Sequence, residues 1–412
     1  MPDSRFKPFV QYEGPFLIWM GLLLFMLRLG ARRQLGFELD TDEALGNVNR
    51  LSRCRQEKMA HHDTLDHYLG HLAPECVHQV RHQMVYRLVR MKVLDYGKLL
   101  GCFLVALDGT GQLYFRQRHC EHCLTKVVDG QTQYYHHVLE AKLVTPDGLA
   151  ISIGSEFIQN DDPKATKQDC ELKAFARLAG RLKKDYPQLR MCLLLDGLYA
   201  NGPVMQTCQD NGWKYIITFK KGSLPSLWTE YLSLRRSSQQ NRQRFESADG
   251  VTQTLAWIEG LEHVDDQKRR HRVNALQCFE RDDHDRKMFA WLTNFQITPR
   301  NADELANRGG RCRWKIENEG FNIQKNGGFN LEHAYSTGET QIQNFYLLLQ
   351  IAHMILQLVE RGNLLGGDCR RLFGSLRAFS RRLAESLRYH LIPPDALDPA
   401  AAARIQIRLN SG

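Results

Sequence analysis

Two apolar runs that end at a carboxylate are the clearest pattern along this chain. Residues 102–107 are apolar and are followed by Asp108 and a glycine. Residues 191–195 are also apolar and are followed by Asp196 and a glycine. Short apolar runs bounded by turn residues are typical of strands that are buried on both faces. The pattern therefore predicts that each aspartate is the last residue of a buried strand, although Asp before Gly is also a common turn pair.

The region from residue 99 to residue 221 changes from strands to an alternation of helix and strand. The predicted elements are strands at 99–107, 134–143 and 150–157, a helix at 167–182, the strand before Asp196, a helix at 203–211 and a strand at 215–219. Three strands followed by helix, strand, helix and strand indicate a mixed α/β layout. In that layout Asp108 and Asp196 can lie side by side at the ends of adjacent strands.

The first 98 residues have the pattern of a helical domain. Asp63 is a candidate N-cap, and Pro74 begins a helix whose apolar positions recur at helical spacing. This helix also carries four basic residues, Arg81, Arg87, Arg90 and Lys92. Two interpretations stay open, a solvated basic face or a helical domain that contacts DNA.

An apolar run near the start, at residues 15–27, is too short to cross a bilayer, which needs about twenty residues. It also lacks the small-residue cleavage pattern of a signal peptide. We expect a buried or interfacial helix and no membrane partner.

The pattern after residue 221 divides into four parts. Residues 222–286 are polar, with strand-like pieces that predict a β-rich inserted subdomain. Residues 287–294 return to strand character, and a long helix from about Asn301, broken near Gly309 and Gly310, carries Glu317. An apolar helix at 342–360 is expected to pack on the core, which would end near residue 365. The tail at 366–412 is basic and helical.

Charge and cysteine usage narrow the class of protein. The 412 residues carry a net charge of +9 with a pI near 9.0, which suits a polyanionic partner but also a merely basic soluble protein. Arg377, Arg381 and Arg382 lie in a stretch that can follow a DNA backbone or form a solvated amphipathic helix. Eleven scattered cysteines are an odd number and are typical of reduced thiols, so we expect a cytoplasmic protein.

Glu317 adds a third carboxylate to Asp108 and Asp196. Carboxylates that converge at buried positions need a cation, and Mg²⁺ takes oxygen ligands from one or two carboxylates and from substrate phosphates. Two such ions about 3.5–4 Å apart promote in-line displacement at phosphorus. On an α-helix Arg313 would lie one turn from Glu317 and could hold it deprotonated.

The sequence around these acids resembles the DDE transposases of bacterial insertion sequences, whose catalytic core has the RNase H-like fold. The likeness spans about residues 100–360 and is carried by residues 107–110, 195–199, 291–294, 314–322 and 331–335. It implies that Asp108, Asp196 and Glu317 are the catalytic, metal-binding triad, and that Arg313 and Lys325 contact DNA. Lys325 is one position later than the Lys of the family pattern, and Gly310 stands where a Tyr is usual.

The resemblance further implies an enzyme that binds two Mg²⁺ ions, which Mn²⁺ can replace. Such an enzyme cuts a strand at a transposon end and joins the freed 3′-hydroxyl to target DNA. It would act as a homodimer when it brings two ends together, associated with the nucleoid. The alternatives are an RNase H-like nuclease that never joins strands and a non-catalytic DNA-binding protein derived from a transposase.

A group of cysteines and histidines at residues 119–123, with His136, His137 and Cys170 further on, falls outside that scheme. One Cys-x-x-Cys pair with nearby histidines can be half of a zinc site, but no second pair has the usual spacing. We expect a polar turn between strands, with a zinc site as the alternative.

Overall fold

The computed structural model describes residues 5, 10–160, 169–238, 240–246, 251–281, 286–397 and 405–409. Its strands are β1 (Phe103–Phe115), β2 (Leu124–Val128), β3 (Gln131–Val144), β4 (Ala150–Ile158), β5 (Met191–Leu195), β6 (Lys214–Thr218), β7 (Arg242–Glu246), β8 (Thr252–Val264), β9 (Arg270–Arg281) and β10 (Arg286–Thr293). Its helices are α1 (Gly14–Met26), α2 (Gln34–Glu38), α3 (Asp42–Ser52), α4 (His62–His71), α5 (Pro74–Arg90), α6 (Glu171–Asp185), α7 (Gly202–Asp210), α8 (Pro225–Ser237), α9 (Ile323–Asn326), α10 (Glu339–Arg361), α11 (Cys369–Phe373) and α12 (Leu376–Tyr389).

One mixed sheet of ten strands forms the centre of the described chain. Its order is β2-β3-β1-β5-β6-β10-β9-β8-β7, and β4 also pairs with β3, outside this order. The pairs β1–β5 and β5–β6 are parallel, whereas β3 is antiparallel to both β1 and β4. Helices cover the faces of this sheet, so the predicted mixed α/β class, with a sheet flanked by helices, is confirmed.

The first strand is longer than its apolar run. It continues through Asp108 to Phe115 because the antiparallel neighbour β3 offers partners along the whole length, from Asp108 opposite Glu140 to Phe115 opposite Tyr134. Asp108 therefore lies inside β1, and the prediction that it ends a strand is wrong. Asp196 lies one residue beyond its predicted place, since β5 ends at Leu195 and Asp196 caps the turn that follows.

The residues after 221 extend the same sheet. A helix, α8, opens this part of the chain, although the sequence predicted only loops and strands there. Strands β7, β8 and β9 then pair in succession and join the core through β10, which pairs with β6. The β-rich segment at 222–286 thus does not form a sheet of its own.

Two apolar helices pack against each other beside the sheet. Helix α1 has most of its residues buried and contacts α10, as expected for a buried helix. Helix α10 is long and apolar enough to cross a membrane, but 83% of its most apolar stretch is buried inside the protein. A burial of this extent is what a core helix shows.

The basic helix near the start does not present all its cations to solvent. Arg81 of α5 is fully buried, and its guanidinium donates to the hydroxyls of Ser152 and Ser155 at 2.7 and 2.6 Å. Neither the solvated face nor the DNA contact predicted for this helix therefore applies to Arg81. The predicted N-cap at Asp63 is also wrong, because α4 begins at His62 and is capped by the His61 side chain.

Several predictions fall on residues outside the described ranges. They concern the start of a helix at Lys167, the loop residue Gln239, and the tail at 398–404 and 410–412.

Candidate metal centre

Asp108, Asp196 and Glu317 line one open cleft with a volume of about 570 Å³. The parallel register of β1 and β5 places Ala106 opposite Leu194. Counting two residues onward on each strand brings Asp108 and Asp196 to the same level at the edge of the sheet. Glu317 reaches this cleft from a separate helical segment, Ile316–Asn322, that packs against β1 and β4.

That helical segment is not a regular α-helix. Glu304–Gly309 and Ile316–Asn322 are wound as wide π-type turns, and Gly310–Arg313 between them forms a tight 3₁₀ turn. Gly310 lies so close to the indole of Trp291 that any β-carbon would collide with it. The glycine pair thus permits close packing on the sheet, and π-type bulges are often found at functional sites.

Arg313 contacts Asp108 instead of the predicted Glu317. Its Nη1 lies 3.5 Å from the Asp108 Oδ2, and its guanidinium lies 4.9 Å from the centre of the Trp314 ring. The four-residue spacing that placed Arg313 beside Glu317 assumed an α-helix, and the wide turn at residue 316 changes the angle between them. Arg313 still lines the same cleft as all three acids.

Burial raises the pKa of Asp108 to about 6. Arg313 opposes this rise, whereas the nearby carboxylates of Glu171 and Asp196 add to it. At neutral pH a carboxyl group with this pKa is ionised only at the expense of folding free energy. A bound cation would offset that free energy. The electrostatics of the cleft therefore favour a divalent cation.

The three carboxylates are spread around the cleft. In the described chain, two groups of His, Cys, Asp and Glu bring at least three ligand atoms within 4.8 Å of one another, and these three acids are not among them. Two ions about 3.5–4 Å apart need ligands over a wider span than a single ion does. The donor set consists of carboxylate oxygens, which suits Mg²⁺ or Mn²⁺.

A second hydrogen-bonded group beside Asp108 was not predicted from the sequence. Glu171, at the start of α6, lies 3.2 Å from the His137 Nε2 and accepts a 3.2 Å hydrogen bond from the Tyr199 hydroxyl. The bond with His137 holds the pKa of Glu171 below its usual value. Gly109 leaves the space that Glu171 and His137 occupy above β1. No strand-end pattern marks Glu171, so only the fold reveals its position.

The other charged residues of this segment, Lys325 and Glu319, are both in ion pairs. Lys325 lines the cleft, and its Nζ is paired with Glu332 at 2.8 Å. Glu319 is paired with Lys315 at 3.5 Å and lies near Gly148. Glu317 is therefore the glutamate of this segment that faces the cleft.

The predicted basic tail forms two helices, α11 and α12. Arg377 and Arg381 line a groove of about 610 Å³ that also includes Arg28. Arg382 is paired instead with Glu385 at 3.3 Å. Two of the three arginines of the tail that were predicted to bind DNA, Arg377 and Arg381, thus share a surface with Arg28, and Arg382 does not.

No family model matches this chain, and a search of curated proteins also finds no match.

Proposed function

We propose that this protein is a DDE transposase with an RNase H-like core. It cuts DNA at the ends of an insertion sequence and transfers the 3′-hydroxyl strand to target DNA. The observation that carries the proposal is the meeting of Asp108, Asp196 and Glu317, from three separate segments of a basic chain, in one open cleft. Without it, the three motifs would be unrelated features of separate elements.

The layout of the core supports the proposed fold. Three antiparallel strands, β1, β3 and β4, are followed by α6, β5, α7 and β6. This succession is the layout expected from the sequence for the RNase H-like core. Strands β7–β10 lie beyond β6, on the side of the sheet away from β1 and β3.

The residues of the cleft have separate proposed roles. Two bound Mg²⁺ ions would activate the attacking oxygen and stabilise the leaving one. Asp108, Asp196 and Glu317 would hold these ions, and Arg313 would orient Asp108 and meet a phosphate. Half-exposed Trp314 offers a ring face on which an unpaired base can stack. The Glu171, His137 and Tyr199 group would keep β1 and β3 fixed beside the acids.

In this proposal the DNA runs from the cleft to the basic groove. Arg28 of the groove lies over the ring of Phe329 at 5.3 Å, and Phe329 follows closely after Lys325 of the cleft. Arg377 and Arg381 on the far side of the groove would then meet the phosphates of the same duplex. A homodimer that joins two DNA ends and a cytoplasmic, nucleoid-associated location belong to this proposal.

Joining of pre-cleaved DNA ends tests the proposal against the nuclease alternative. The substrate is a duplex taken from the DNA flanking the coding sequence, with a free 3′-hydroxyl, and the target is a supercoiled plasmid. We expect the protein to join the two in Mg²⁺, and the Glu317→Gln variant to lose at least about a hundredfold in rate, because metal stabilisation supplies several kcal/mol.

Glu304→Gln, which removes a partly exposed glutamate paired with Arg308, is the matched control and should join at the parent rate. Cutting without joining would support the nuclease instead. DNA binding without any metal-dependent turnover would support the non-catalytic alternative, and either result overturns the transposase proposal.

A further inference from the structure

The loop between β1 and β2 brings four metal-ligand side chains together. His119, Cys120 and Cys123 belong to this loop, and His136 reaches it from β3. One nitrogen or sulfur atom from each lies within 4.8 Å of those of the other three. The second pair of ligands missing from the sequence pattern is thus His119 and His136, which are seventeen positions apart and meet only in the fold.

The distances within this cluster, 3.1–3.8 Å, are close to those around a tetrahedral zinc ion and in part shorter, and His119 would bind through one of its two ring nitrogens. Bonds of about 2.3 Å to sulfur and about 2.0–2.1 Å to nitrogen put tetrahedral ligands about 3.4–3.8 Å apart. The two sulfurs are 3.3 Å apart, and the His136 Nε2 lies 3.5 and 3.8 Å from the sulfurs of Cys120 and Cys123. The His119 Nδ1 is 3.3 Å from the Cys123 sulfur, and its Nε2 is 3.1 Å from the His136 Nε2.

The two sulfurs do not form a disulfide, whose atoms lie about 2.05 Å apart. A disulfide would also leave the converging imidazoles unexplained. Cys123 is fully buried, and His136 is nearly so, which keeps solvent from one side of the cluster.

Groups around the cluster hold its loop in place. The Asn160 side chain donates to the Cys123 carbonyl at 3.1 Å. The His122 Nε2, between the two cysteines in sequence, lies 3.1 Å from Glu339 at the start of α10. The loop is thus anchored both to the end of β4 and to the core helix.

We propose that His119, Cys120, Cys123 and His136 bind one structural zinc ion. All four tetrahedral positions are filled by the protein, as is usual in structural sites, whereas catalytic zinc keeps one position open. The ion ties the loop after β1 to the facing strand β3. Its presence does not depend on the proposed DNA chemistry, since the ligands lie outside the cleft.

The zinc site adjoins the cleft through two consecutive residues of β3. Side chains of neighbouring strand residues point to opposite faces, so His136 faces the zinc loop and His137 faces the other side. His137 contacts Glu171 beside Asp108. The ion therefore fixes the part of β3 that adjoins the carboxylate cleft.

Metal analysis of the purified full-length chain tests this proposal. We expect one zinc per chain after expression in zinc-containing medium. X-ray absorption at the zinc edge should show two sulfur ligands at about 2.3 Å and two nitrogen ligands at about 2.0–2.1 Å. Protein without bound zinc that also fails to take up added Zn²⁺ under reducing conditions would overturn the proposal, and so would a disulfide between Cys120 and Cys123 formed in the presence of zinc.

The Cys120→Ser/Cys123→Ser double variant should lose the zinc, whereas Cys170→Ser, which removes an exposed cysteine outside the cluster, should retain one ion per chain. Zinc retained in the double variant would place the ion elsewhere and overturn the assignment. If the double variant does not fold, the ligand count in the parent protein still decides the question. None of these readouts requires DNA cleavage, so they are independent of the transposase proposal.

Discussion

The Asp108→Asn variant should lose at least about a thousandfold in metal-dependent DNA cleavage. The amide keeps the shape of the carboxylate but removes the charge that would hold a divalent cation between β1 and β5. Stabilisation by a metal is worth several kcal/mol of the reaction barrier, and each 1.36 kcal/mol corresponds to a factor of ten in rate. Binding to the same DNA should change only a few-fold, because Arg313, Lys325 and the groove lined by Arg377 are kept.

The same substitution should make the metal-free protein more stable at neutral pH. A carboxyl group whose pKa is raised on folding stabilises the folded state at low pH and loses that contribution as the pH rises through the folded pKa. For Asp108 this window runs from about pH 4 to pH 6. A shift of this size corresponds to about 3 kcal/mol. The shift already includes the opposing attraction of Arg313, and Asp108 is still partly exposed, so solvent screening reduces the effect and we expect a net gain of about 1–2 kcal/mol at pH 7.5 and none at pH 4.

Urea unfolding at both pH values, with a cleavage assay on the same preparations, measures both effects. Asp266→Asn removes an exposed aspartate outside the cleft and should change neither. Cleavage retained by Asp108→Asn would exclude Asp108 from the metal centre. A variant less stable than the parent at pH 7.5 would show that Asp108 is a structural carboxylate satisfied without a cation.

Glu140→Gln should lower the free energy of unfolding by about 3–5 kcal/mol, the cost of breaking a buried ion pair by removing one partner. The Glu140 carboxylate is fully buried between two buried cations, 3.8 Å from Arg81 and 3.9 Å from Lys142. It also accepts hydrogen bonds from Ser155 at 2.6 Å and Tyr346 at 2.8 Å. The neutral amide would leave both cations without their counter-charge.

This network joins distant parts of the chain, since Arg81 lies on α5, Glu140 and Lys142 on β3, and Tyr346 on α10. Glu304→Gln breaks a partly exposed pair with Arg308 and should cost no more than about 1 kcal/mol. A triple variant with Arg81→Met, Glu140→Gln and Lys142→Met should recover much of the loss. A Glu140→Gln protein as stable as the control would mean that the Glu140 charge is not needed to stabilise the buried charges of Arg81 and Lys142.

The apolar patterns identified most of the central strands and helices, because buried strands such as β5 have few polar positions. Asp196 was placed to within one residue for that reason. Asp108 was misplaced because the length of β1 depends on its partner β3, which lies more than twenty residues later in the sequence. Local patterns do not report such long-range pairing.

The partners of the buried charges, and the pairing of His119 with His136 in the proposed zinc site, were beyond sequence analysis for a related reason. Arg81 has the sequence signature of a solvated basic helix, and only the fold places it among Ser152, Ser155 and Glu140. Glu171 likewise meets His137, and His119 meets His136, only through tertiary contacts. Spacing along the chain predicts such sites only when the ligands come from one local element.

A crystal of the full-length protein with Mn²⁺ and a pre-cleaved DNA end tests the central claim most directly, through anomalous scattering at the manganese edge. Our proposal predicts two manganese peaks about 3.5–4 Å apart in the cleft, coordinated by Asp108, Asp196 and Glu317 and next to the 3′ end of the DNA. A cleft without manganese, or DNA bound elsewhere on the protein, would contradict it.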